Sequence, residues 1–391
     1  MLVLDHALKI VLDSARMMGV VDVELAASAD RILAADVRSD IDMPPFDKST
    51  RDGCACRRAD LANELTVVET IPAGQIPHKS IAVNQCAKIM TGSMMPTGAD
   101  CVIMVELTES SGAGKVLFTG NRTDDNICLR GEDLKGGRIV LNKGDKIGPQ
   151  QIAVLAAVGC VRPPVFRRPK VGVIATGSEL VRPDEKPQGS QIRDSNSWQI
   201  SAQVERVGGI VNNYGVVPDD KEKTRTAICK AAAENDVVIV CGGVSVGEYD
   251  YVPQILKQSN FELLFEKIAV KPGKPTVFGI RNGTYCFGLP GNPASAFVIF
   301  EILVKPFLYK LMGHDYKPLY VNAELTSHIR RKDTQRLEWI PVLTENDGTA
   351  NLIEYHGSAH ISAFCGANGL VAVDIGVAEI EKGTVVPVRL L

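Results

Sequence analysis

Residues 236–251, DVVIVCGGVSVGEYDY, decide the fold of the central part of the chain, because an apolar run of strand type passes directly into a loop with three glycines. Two further strand-type runs and two helical segments precede this stretch: VGVIAT (171–176), SNSWQISAQVERVGG (195–209), IVNNYGVV (210–217) and KEKTRTAICKAAAEN (221–235). The alternation of strand and helix predicts a parallel sheet with crossover helices. We assign this α/β domain to residues 167–313.

Each predicted strand of this segment ends in a polar or glycine-rich loop. The loops are TGSEL (176–180), PDD (218–220), GGVSVGEYDY (242–251) and LPGNP (289–293). In a parallel sheet such loops emerge together at the carboxyl edge, where α/β proteins bind their ligands. We therefore expect the ligand site at this edge.

The segments on either side of the central part have a different pattern. Short β-rich runs separated by Gly, Pro and Asn occupy residues 65–141 and 317–391, and they predict two small β domains. Residues 1–20 and 148–160 have the pattern of helices. Several prolines within 163–169 mark a domain boundary.

The composition is that of an ordinary folded protein. Of the 391 residues, 45% are apolar and 23% are charged, which excludes a disordered or fibrous chain. The 43 Lys and Arg residues face 46 Asp and Glu residues, so no overall basic field attracts nucleic acid or an anionic membrane. The ten scattered cysteines are typical of reduced, mostly buried thiols. The first helix is charged, and no uncharged apolar run approaches the about 18 residues of a membrane span. We expect a cytoplasmic protein that binds neither nucleic acid nor membrane.

The glycine-rich loop and its neighbours carry the clearest chemical signal. Gly242, Gly243, Ser245 and Gly247 place backbone N–H groups where an oxyanion can approach them, although neither the dinucleotide fingerprint nor the P-loop pattern is met. Carboxylates lie in this loop and in two neighbouring ones: Glu179, Asp219, Asp220 and Asp250. Such a set suits Mg²⁺ shared with substrate phosphates. Considered alone, the glycine-rich loop is also explained as a tight turn without a ligand. Each carboxylate, considered alone, is also explained as a solvated surface group or a helix N-cap.

Two further loops offer groups for an anion. VKPGKP supplies Lys271 and Lys274, with Lys267 four residues before Lys271, although a solvated basic hairpin is an equal interpretation. LPGNP is a rigid turn before a helix, and we assign it to anion or base binding through Pro290, Gly291, Asn292 and Pro293. The residues alone therefore predict a multidomain enzyme that acts on a phosphorylated small molecule with Mg²⁺.

Two other residue pairs are weak metal candidates. His356 and His360 are four residues apart, but no HExxH glutamate accompanies them, which argues against zinc. Cys54 and Cys56 are better explained as half-buried strand thiols than as metal ligands.

Seven motifs, in this order and spacing, make the whole chain resemble the molybdopterin molybdenumtransferases, whose architecture is shared by the C-terminal E domain of gephyrin. They are PPFDKSTRDG (44–53), KIMTGSMMPTGAD (88–100), RGEDL (130–134), VGVIATGSELV (171–181), GGVSVGEYDY (242–251), VKPGKP (270–275) and GLPGNPASA (288–296). The resemblance implies a homodimer that inserts molybdate into adenylylated molybdopterin, hydrolyses the adenylate and releases AMP with a divalent cation.

The resemblance also implies a domain order. The α/β molybdopterin-binding domain spans 167–313, and a β-rich inserted domain spans 41–133. Residues 1–40 and 134–166 together form an elongated linking and dimerisation domain, and residues 314–391 form a small C-terminal β domain. The fold class is thus multidomain α/β plus β around a central parallel sheet.

The functional residues of the family match positions throughout this sequence. These are the acidic residues Asp52, Asp133, Glu179, Asp219 and Asp250, the threonine Thr91, the lysines Lys267 and Lys271, the prolines Pro290 and Pro293, Arg336 and, as a weaker match, Ser358. By combining the resemblance with the carboxyl-edge argument, we predict that Glu179, Asp219 and Asp250 hold the metal.

The chain departs from the family pattern at a few of its motif positions. Cysteine replaces an arginine at Cys128, and Pro341 stands where a second arginine is usual. Arg51 and Cys54 stand where the family usually has methionine and tyrosine. We expect Arg51 to restore one of the lost cations near Cys128.

Two other functions remain open from the sequence. A divergent paralogue that serves as a binding or scaffold protein would keep the fold, and an unrelated Mg²⁺-dependent nucleotidyl or phosphoryl enzyme would keep the loops. The clustered carboxylates favour an enzyme, because a scaffold has no reason to keep charges that repel one another. The expected partners are the small-molecule substrate, a second copy of the chain and the molybdopterin adenylyltransferase.

Overall fold

The centre of the protein is a six-stranded sheet with helices on both faces. The computed structural model describes residues 1–245 and 250–391. The strand order across this sheet is Ile210–Val217, Lys170–Thr176, Val237–Cys241, Thr284–Leu289, Val277–Arg281 and Glu262–Phe265. The first four strands are parallel, as predicted, and the last two are antiparallel to their neighbours. The sheet is therefore mixed, which corrects the prediction of a parallel sheet.

A tight turn makes strand Val277–Arg281 antiparallel to its neighbour Thr284–Leu289. Asn282 and Gly283, both with positive φ, join strand Val277–Arg281 to strand Thr284–Leu289. A two-residue connection can join only antiparallel strands, because a parallel pair needs a crossover of a dozen or more residues. The sequence contains this signal as Asn-Gly.

Helices cover both faces of the sheet, so strand Val237–Cys241 is buried along its whole length. The helices are Asn196–Arg206, Lys221–Glu234, Val252–Gln258, Pro293–Ile299 and Lys305–Leu311. A π-helical turn, Phe300–Val304, joins the last two. Pro306 has no N–H to donate to the carbonyl of Ile302, and the helix widens just before it.

A second six-stranded sheet lies between residues 53 and 118. Its strand order is Cys101–Met104, Gly53–Cys56, Gln85–Ile89, Leu65–Ile71, Lys115–Phe118 and Thr108–Gly112. A separate short pair, Lys48–Ser49 with Ile127–Cys128, lies at the two chain connections of this region. Short β-rich runs were predicted here, and the structure confirms strands in them.

Four cysteines lie on this sheet. Cys56 lies opposite Cys86 and Cys101 on the two neighbouring strands, with 3.7 Å between the Sγ atoms of Cys56 and Cys101. Cys54 and Cys56 are fully buried rather than half-buried, which corrects the sequence interpretation. The thiol contact with Cys101 and burial raise the pKa of Cys56, so we regard it as an inert core thiol.

The segments before and after this sheet pack against each other. Strand Val20–Asp22 pairs with Pro164–Phe166, and Val37–Arg38 pairs with Ile139–Leu141. Helices Leu4–Ser14 and Pro149–Ala157 lie within the predicted segments 1–20 and 148–160, and the first helix ends six residues before the predicted end. No helix in the described ranges is long and apolar enough to cross a membrane.

The C-terminal strands form a closed barrel. Their order is Leu337–Thr344, Thr349–Leu352, Tyr320–Leu325, Val385–Leu390 and Gly369–Val373, and the last pairs again with the first. Strand Val270–Lys271, from the central part of the chain, adds to this barrel beside Leu337–Thr344. Two short pairs complete the described strands: Leu180–Val181 with Ile192–Arg193, and Ile329–Arg330 with Glu379–Ile380.

A buried charge network joins the barrel to the central sheet. Glu301, 2% exposed, accepts hydrogen bonds from Lys305 at 2.7 Å and from Gln203 at 3.0 Å. Arg389, on the last strand of the barrel, donates to the backbone carbonyl of Glu301 and lies over the ring of Trp339. A buried charge is tolerated only when it is paired, so this junction has one strongly preferred arrangement.

Lys305→Met should therefore destabilise the protein. Removing one partner of a buried ion pair leaves an uncompensated charge, and we expect a loss of about 3 kcal/mol in unfolding free energy. Lys9→Met is the matched control, because the Lys9–Asp13 pair has the same spacing but is more than half exposed, and we expect a loss of less than about 0.5 kcal/mol. Equal losses in urea denaturation of the two variants would contradict this view of the junction.

Candidate functional site

A cavity of about 640 Å³ opens at the carboxyl edge of the central sheet, and we call it the edge cavity. The predicted site residues in its wall are Glu179, Asp219, Gly242, Gly243, Ser245, Asp250, Pro290, Gly291, Asn292 and Pro293. The structure thus brings together all three predicted metal ligands, the glycine-rich loop and the LPGNP turn. Gly247 lies outside the described residues.

Glycines are required where two walls of the edge cavity meet. Gly242 has φ +101°, and a Cβ atom added there would lie 2.6 Å from the carbonyl oxygen of Thr176. Gly177, on the facing loop, has φ +156°, and a Cβ there would lie 2.6 Å from the carboxylate of Glu179. The glycine-rich loop can lie this close to Thr176 only because Gly242 has no side chain, whereas Gly177 faces the flexible carboxylate of its own loop.

The two adjacent aspartates 219 and 220 have different surroundings. Asp219 accepts a hydrogen bond from the backbone N–H of Ser178 at 3.0 Å, and its own N–H donates to the Ser178 hydroxyl at 2.9 Å. Asp220 instead caps helix Lys221–Glu234 by accepting from the N–H of Lys223 at 2.8 Å. Asp219 therefore lines the edge cavity, whereas Asp220 has the N-cap role considered from the sequence.

The fit of these carboxylates to a divalent cation is partial. In residues 1–245 and 250–391 there is no group of three or more His, Cys, Asp or Glu side chains close enough to hold a metal ion by themselves. Mg²⁺ commonly uses one or two carboxylates and takes its other ligands from water and substrate phosphates. One or two carboxylates from the set Glu179, Asp219 and Asp250 would fit a cation of that kind, with substrate phosphates and water as its other ligands.

The wall of the edge cavity also contains residues that were not singled out from the sequence, among them Thr176, Asp194 and Asn196. Asp194 is 4% exposed and accepts hydrogen bonds from the N–H and the hydroxyl of Ser197. Asn196 donates to the carbonyl oxygen of Gly291 at 2.6 Å, and Thr176 lies under the glycine-rich loop. A signal for Asp194 and Asn196 was available, because the polar triplet Asp-Ser-Asn (194–196) stands at the start of a predicted helix.

The predicted cations lie beside the barrel rather than in the wall of the edge cavity. Lys271 pairs with Glu338 at 2.7 Å, and Arg331 lies 3.7 Å from the same carboxylate. Arg336 pairs with Asp333 at 2.5 Å; its hydrogen bond, with smaller effects that include the charge of Lys271, lowers the pKa of Asp333. Three cations thus share two carboxylates, which leaves one positive charge in excess.

Lys267 and Lys274 are exposed. Neither is among the described residues that line the edge cavity, although the neighbouring Pro275 is. Their sequence positions predicted anion binding, and the described geometry adds no contact that supports it.

Ser358 lies at the rim of the edge cavity. Its hydroxyl accepts a hydrogen bond from the Asn292 side chain at 2.7 Å, and its carbonyl accepts from the N–H of Ala294 at 3.1 Å. One N–H at the start of helix Pro293–Ile299 is therefore already used within the chain. The next residue, Ala359, lines the cavity.

The remaining predicted residues lie outside the edge cavity: Asp52 and Thr91 are beside the second sheet, and Asp133 is in the segment that follows this sheet. Asp52 accepts a hydrogen bond from the N–H of Thr91 at 2.7 Å. Asp133 donates its N–H to the carbonyl of Met43 at 3.1 Å and lines a different cavity of about 590 Å³. Within one described chain, these three residues are not part of the wall of the edge cavity.

Cys128 has a cation beside it, but not the expected one. Cys128 lies directly opposite Lys48 in the short strand pair. Arg51 lies in a local turn, in which its N–H donates to the Ser49 hydroxyl and its carbonyl accepts from the same hydroxyl. Burial and the charges of Glu132 and Asp133 raise the pKa of Cys128. Lys48 is thus a cation directly opposite Cys128, and compensation by Arg51 stays a prediction.

A larger cavity of about 1060 Å³ lies beside helix Asn196–Arg206 and strand Ile210–Val217, next to the exposed ring of Trp198. Asp194 lines both this cavity and the edge cavity. None of the predicted site residues within the described ranges lies in its wall. We therefore place the functional site in the edge cavity despite its smaller volume.

Comparisons with known proteins cover the whole chain. Three family models match: the MoeA N-terminal region (domains I and II) over residues 2–159, the probable molybdopterin binding domain over 172–310, and the MoeA C-terminal region (domain IV) over 322–391. A molybdopterin molybdenumtransferase of Staphylococcus epidermidis is 37% identical over 380 residues, which are 95% of this chain and 91% of that protein. One of Staphylococcus aureus is 34% identical over 398 residues, covering 98% and 94%.

Solved structures agree with this result. The molybdopterin biosynthesis MoeA protein of Pyrococcus horikoshii OT3 is 32% identical, with a TM-score of 0.88 and full coverage of both chains. A molybdenum cofactor biosynthesis protein of Pyrococcus furiosus, 24% identical with a TM-score of 0.65, shares the fold and covers 100% of this chain and 99% of that chain.

Gly242→Ala tests the close approach at the edge cavity. The substitution adds a clash with Thr176 to an unfavourable φ, and we expect a loss of about 2 kcal/mol in unfolding free energy. Gly19→Ala is the control, because nothing lies within 4 Å of the added Cβ atom. If thermal unfolding shows no difference between the two variants, the glycine-rich loop does not need the described conformation.

Proposed function

The chain belongs to the MoeA family of molybdopterin molybdenumtransferases, and we propose that it inserts molybdate into adenylylated molybdopterin at the edge cavity, with release of AMP. The observation that carries this proposal is the convergence of Glu179, Asp219 and Asp250 with the glycine-rich loop in one cavity. A pyrophosphate and a divalent cation are the two groups that this combination suits best. No specific observation favours a scaffold protein or another phosphoryl enzyme.

Different groups in the edge cavity are suited to the phosphates and to the cation. Backbone N–H groups of the glycine-rich loop are the groups suited to the phosphate oxygens, because glycine lets the backbone approach them closely. Glu179, Asp219 and Asp250 would hold Mg²⁺ together with those oxygens. When bound, Mg²⁺ neutralises charge on the phosphates and so favours departure of AMP.

The basic cluster beside the barrel suits molybdate. Lys271, Arg331 and Arg336 exceed their two carboxylate partners by one charge, so an oxyanion that arrives there meets a net attraction. Arg336 offers a planar fork for two oxygens, whereas Lys271 acts as a compact point charge. We propose that these cations orient molybdate toward the edge cavity, with Ser358 at the rim.

Asp52, Thr91 and Asp133 lie outside the edge cavity of their own chain, which suggests a site shared between two chains. We propose that the protein is a homodimer in which these residues complete the edge cavity of the partner. The proposed domains are those assigned from the sequence, with 1–40 and 134–166 as the dimerisation domain. A cytoplasmic location and delivery of the substrate by a molybdopterin adenylyltransferase also stay predictions.

Release of AMP from adenylylated molybdopterin, with Mg²⁺ and molybdate, tests the function. Asp219→Asn should lower the rate by about 100-fold or more, since even outer partners of metal ligands cost about 10- to 100-fold. Asp220→Asn is the matched control, because asparagine caps a helix as well as aspartate does. An inactive wild-type protein would refute the activity, and an active Asp219→Asn variant would remove Asp219 from the site.

Mixing two inactive variants tests the shared site. After subunit exchange between Asp250→Asn and Asp133→Asn proteins, half of the dimers are mixed and each has one intact site of two. We therefore expect about one quarter of the wild-type AMP release. If mixed dimers form, as shown by mass spectrometry, and stay inactive, each site is built within one chain.

A further inference from the structure

We propose that Asn196 is a positioning residue for molybdenum insertion, because it fixes the LPGNP turn against the glycine-rich loop. The inference rests on the proposed function for its kinetic consequence. Asn196 is the first residue of helix Asn196–Arg206 and is 8% exposed. No role was expected for it from the sequence.

Asn196 is one of three amide side chains on a single face of this helix. Residues 196, 199 and 203 follow the spacing at which side chains share a helix face. Asn196 donates to the carbonyl of Gly291 at 2.6 Å, and Gln199 donates to that of Pro293 at 3.2 Å. Gln203 donates to the carboxylate of Glu301 at 3.0 Å. This amide face therefore holds the segment 291–301 along its length.

The bond from Asn196 acts on the edge cavity itself. Gly291 and Asn292 both line the cavity, and a Cβ atom at Gly291 would lie 3.6 Å from the Cα of Gly242. The turn thus rests against the glycine-rich loop, and Asn196, which lines the same cavity, holds the turn through the Gly291 carbonyl. A shift of about 1 Å in a group that positions the substrate can cost about 100-fold in rate.

The orientation of the Asn196 amide follows from its partner. A carbonyl oxygen can only accept, so the NH₂ group must face Gly291 and the Oδ1 atom must face away. Oδ1 is buried and has no hydrogen-bond partner among the described residues. A buried acceptor without a hydrogen-bond partner destabilises the folded state by about as much as the bond from the NH₂ group to Gly291 stabilises it. The Asn196 side chain therefore adds little to the free energy of unfolding.

Gln203 lies on the same helix face as Asn196 but has a different kind of hydrogen-bond partner. Its Oε1 atom is also buried without a partner in the described part of the chain, but its NH₂ group serves the buried carboxylate of Glu301. A bond to a buried charge is stronger than one to a carbonyl, and its loss leaves a charge that water cannot reach. Gly291 is exposed, so water from the cavity can replace the Asn196 bond. Gln203 therefore contributes mainly to the free energy of unfolding, whereas Asn196 contributes mainly to the position of the LPGNP turn.

Asn196→Ala and Gln203→Ala separate the two roles. For Asn196→Ala we expect a melting temperature within about 2 °C of wild type and a kcat for AMP release lowered by at least about 10-fold, with KM changed by less than about 3-fold. For Gln203→Ala we expect a melting temperature lower by at least about 5 °C, with kcat and KM within about 2-fold at 20 °C or below. A kcat of Asn196→Ala within 2-fold of wild type, or a loss of stability equal to that of Gln203→Ala, would overturn the proposal.

Amide hydrogen exchange gives a readout that does not depend on activity. Exchange in residues 289–296 should become faster in Asn196→Ala than in wild type or Gln203→Ala, because the turn has lost its anchor. Unchanged exchange there would refute the positional role even if the enzyme were active. If the wild-type protein releases no AMP but exchange changes as expected, the proposed function fails and the positional role of Asn196 stands.

Discussion

The parallel order of four neighbouring strands is the constraint on which the site depends. Because strands 170–176, 210–217, 237–241 and 284–289 run in the same direction, the loops that follow them open at one edge. Residues from four separate stretches of sequence then line one cavity. Gly242 allows the glycine-rich loop to lie against the neighbouring loop, since only a residue without a side chain fits against Thr176.

Much of this arrangement is predictable from sequence, and the exceptions have physical causes. The strands, the edge loops and the three carboxylates follow from hydrophobic pattern and strand direction. Strands 262–265 and 277–281 were missed; a single Asn-Gly turn fixes the direction of 277–281, and 262–265 then pairs antiparallel to it at the edge of the sheet. The local pattern does not separate Asp219 from Asp220, since both carboxylates precede the same helix; the family resemblance selects Asp219, and the hydrogen bonds distinguish the two.

Contacts between distant segments account for the other differences. The bond between Asn196 and Gly291 joins residues 95 positions apart, and Lys48 meets Cys128 across a strand pair that no local pattern specifies. Ser358 contacts Asn292 across the contact between the barrel and the central domain, where Arg389 bonds the carbonyl of Glu301 and strand Val270–Lys271 joins the barrel. The position of the barrel therefore bears on the rim of the edge cavity.

A crystal structure with AMP and Mn²⁺ in place of Mg²⁺ would test the location of the reaction most directly. We expect anomalous scattering to place Mn²⁺ on carboxylates from the set Glu179, Asp219 and Asp250, with the phosphate of AMP against the glycine-rich loop. Mn²⁺ or AMP bound elsewhere, for example in the cavity beside Trp198, with the edge cavity empty, would contradict the proposed site.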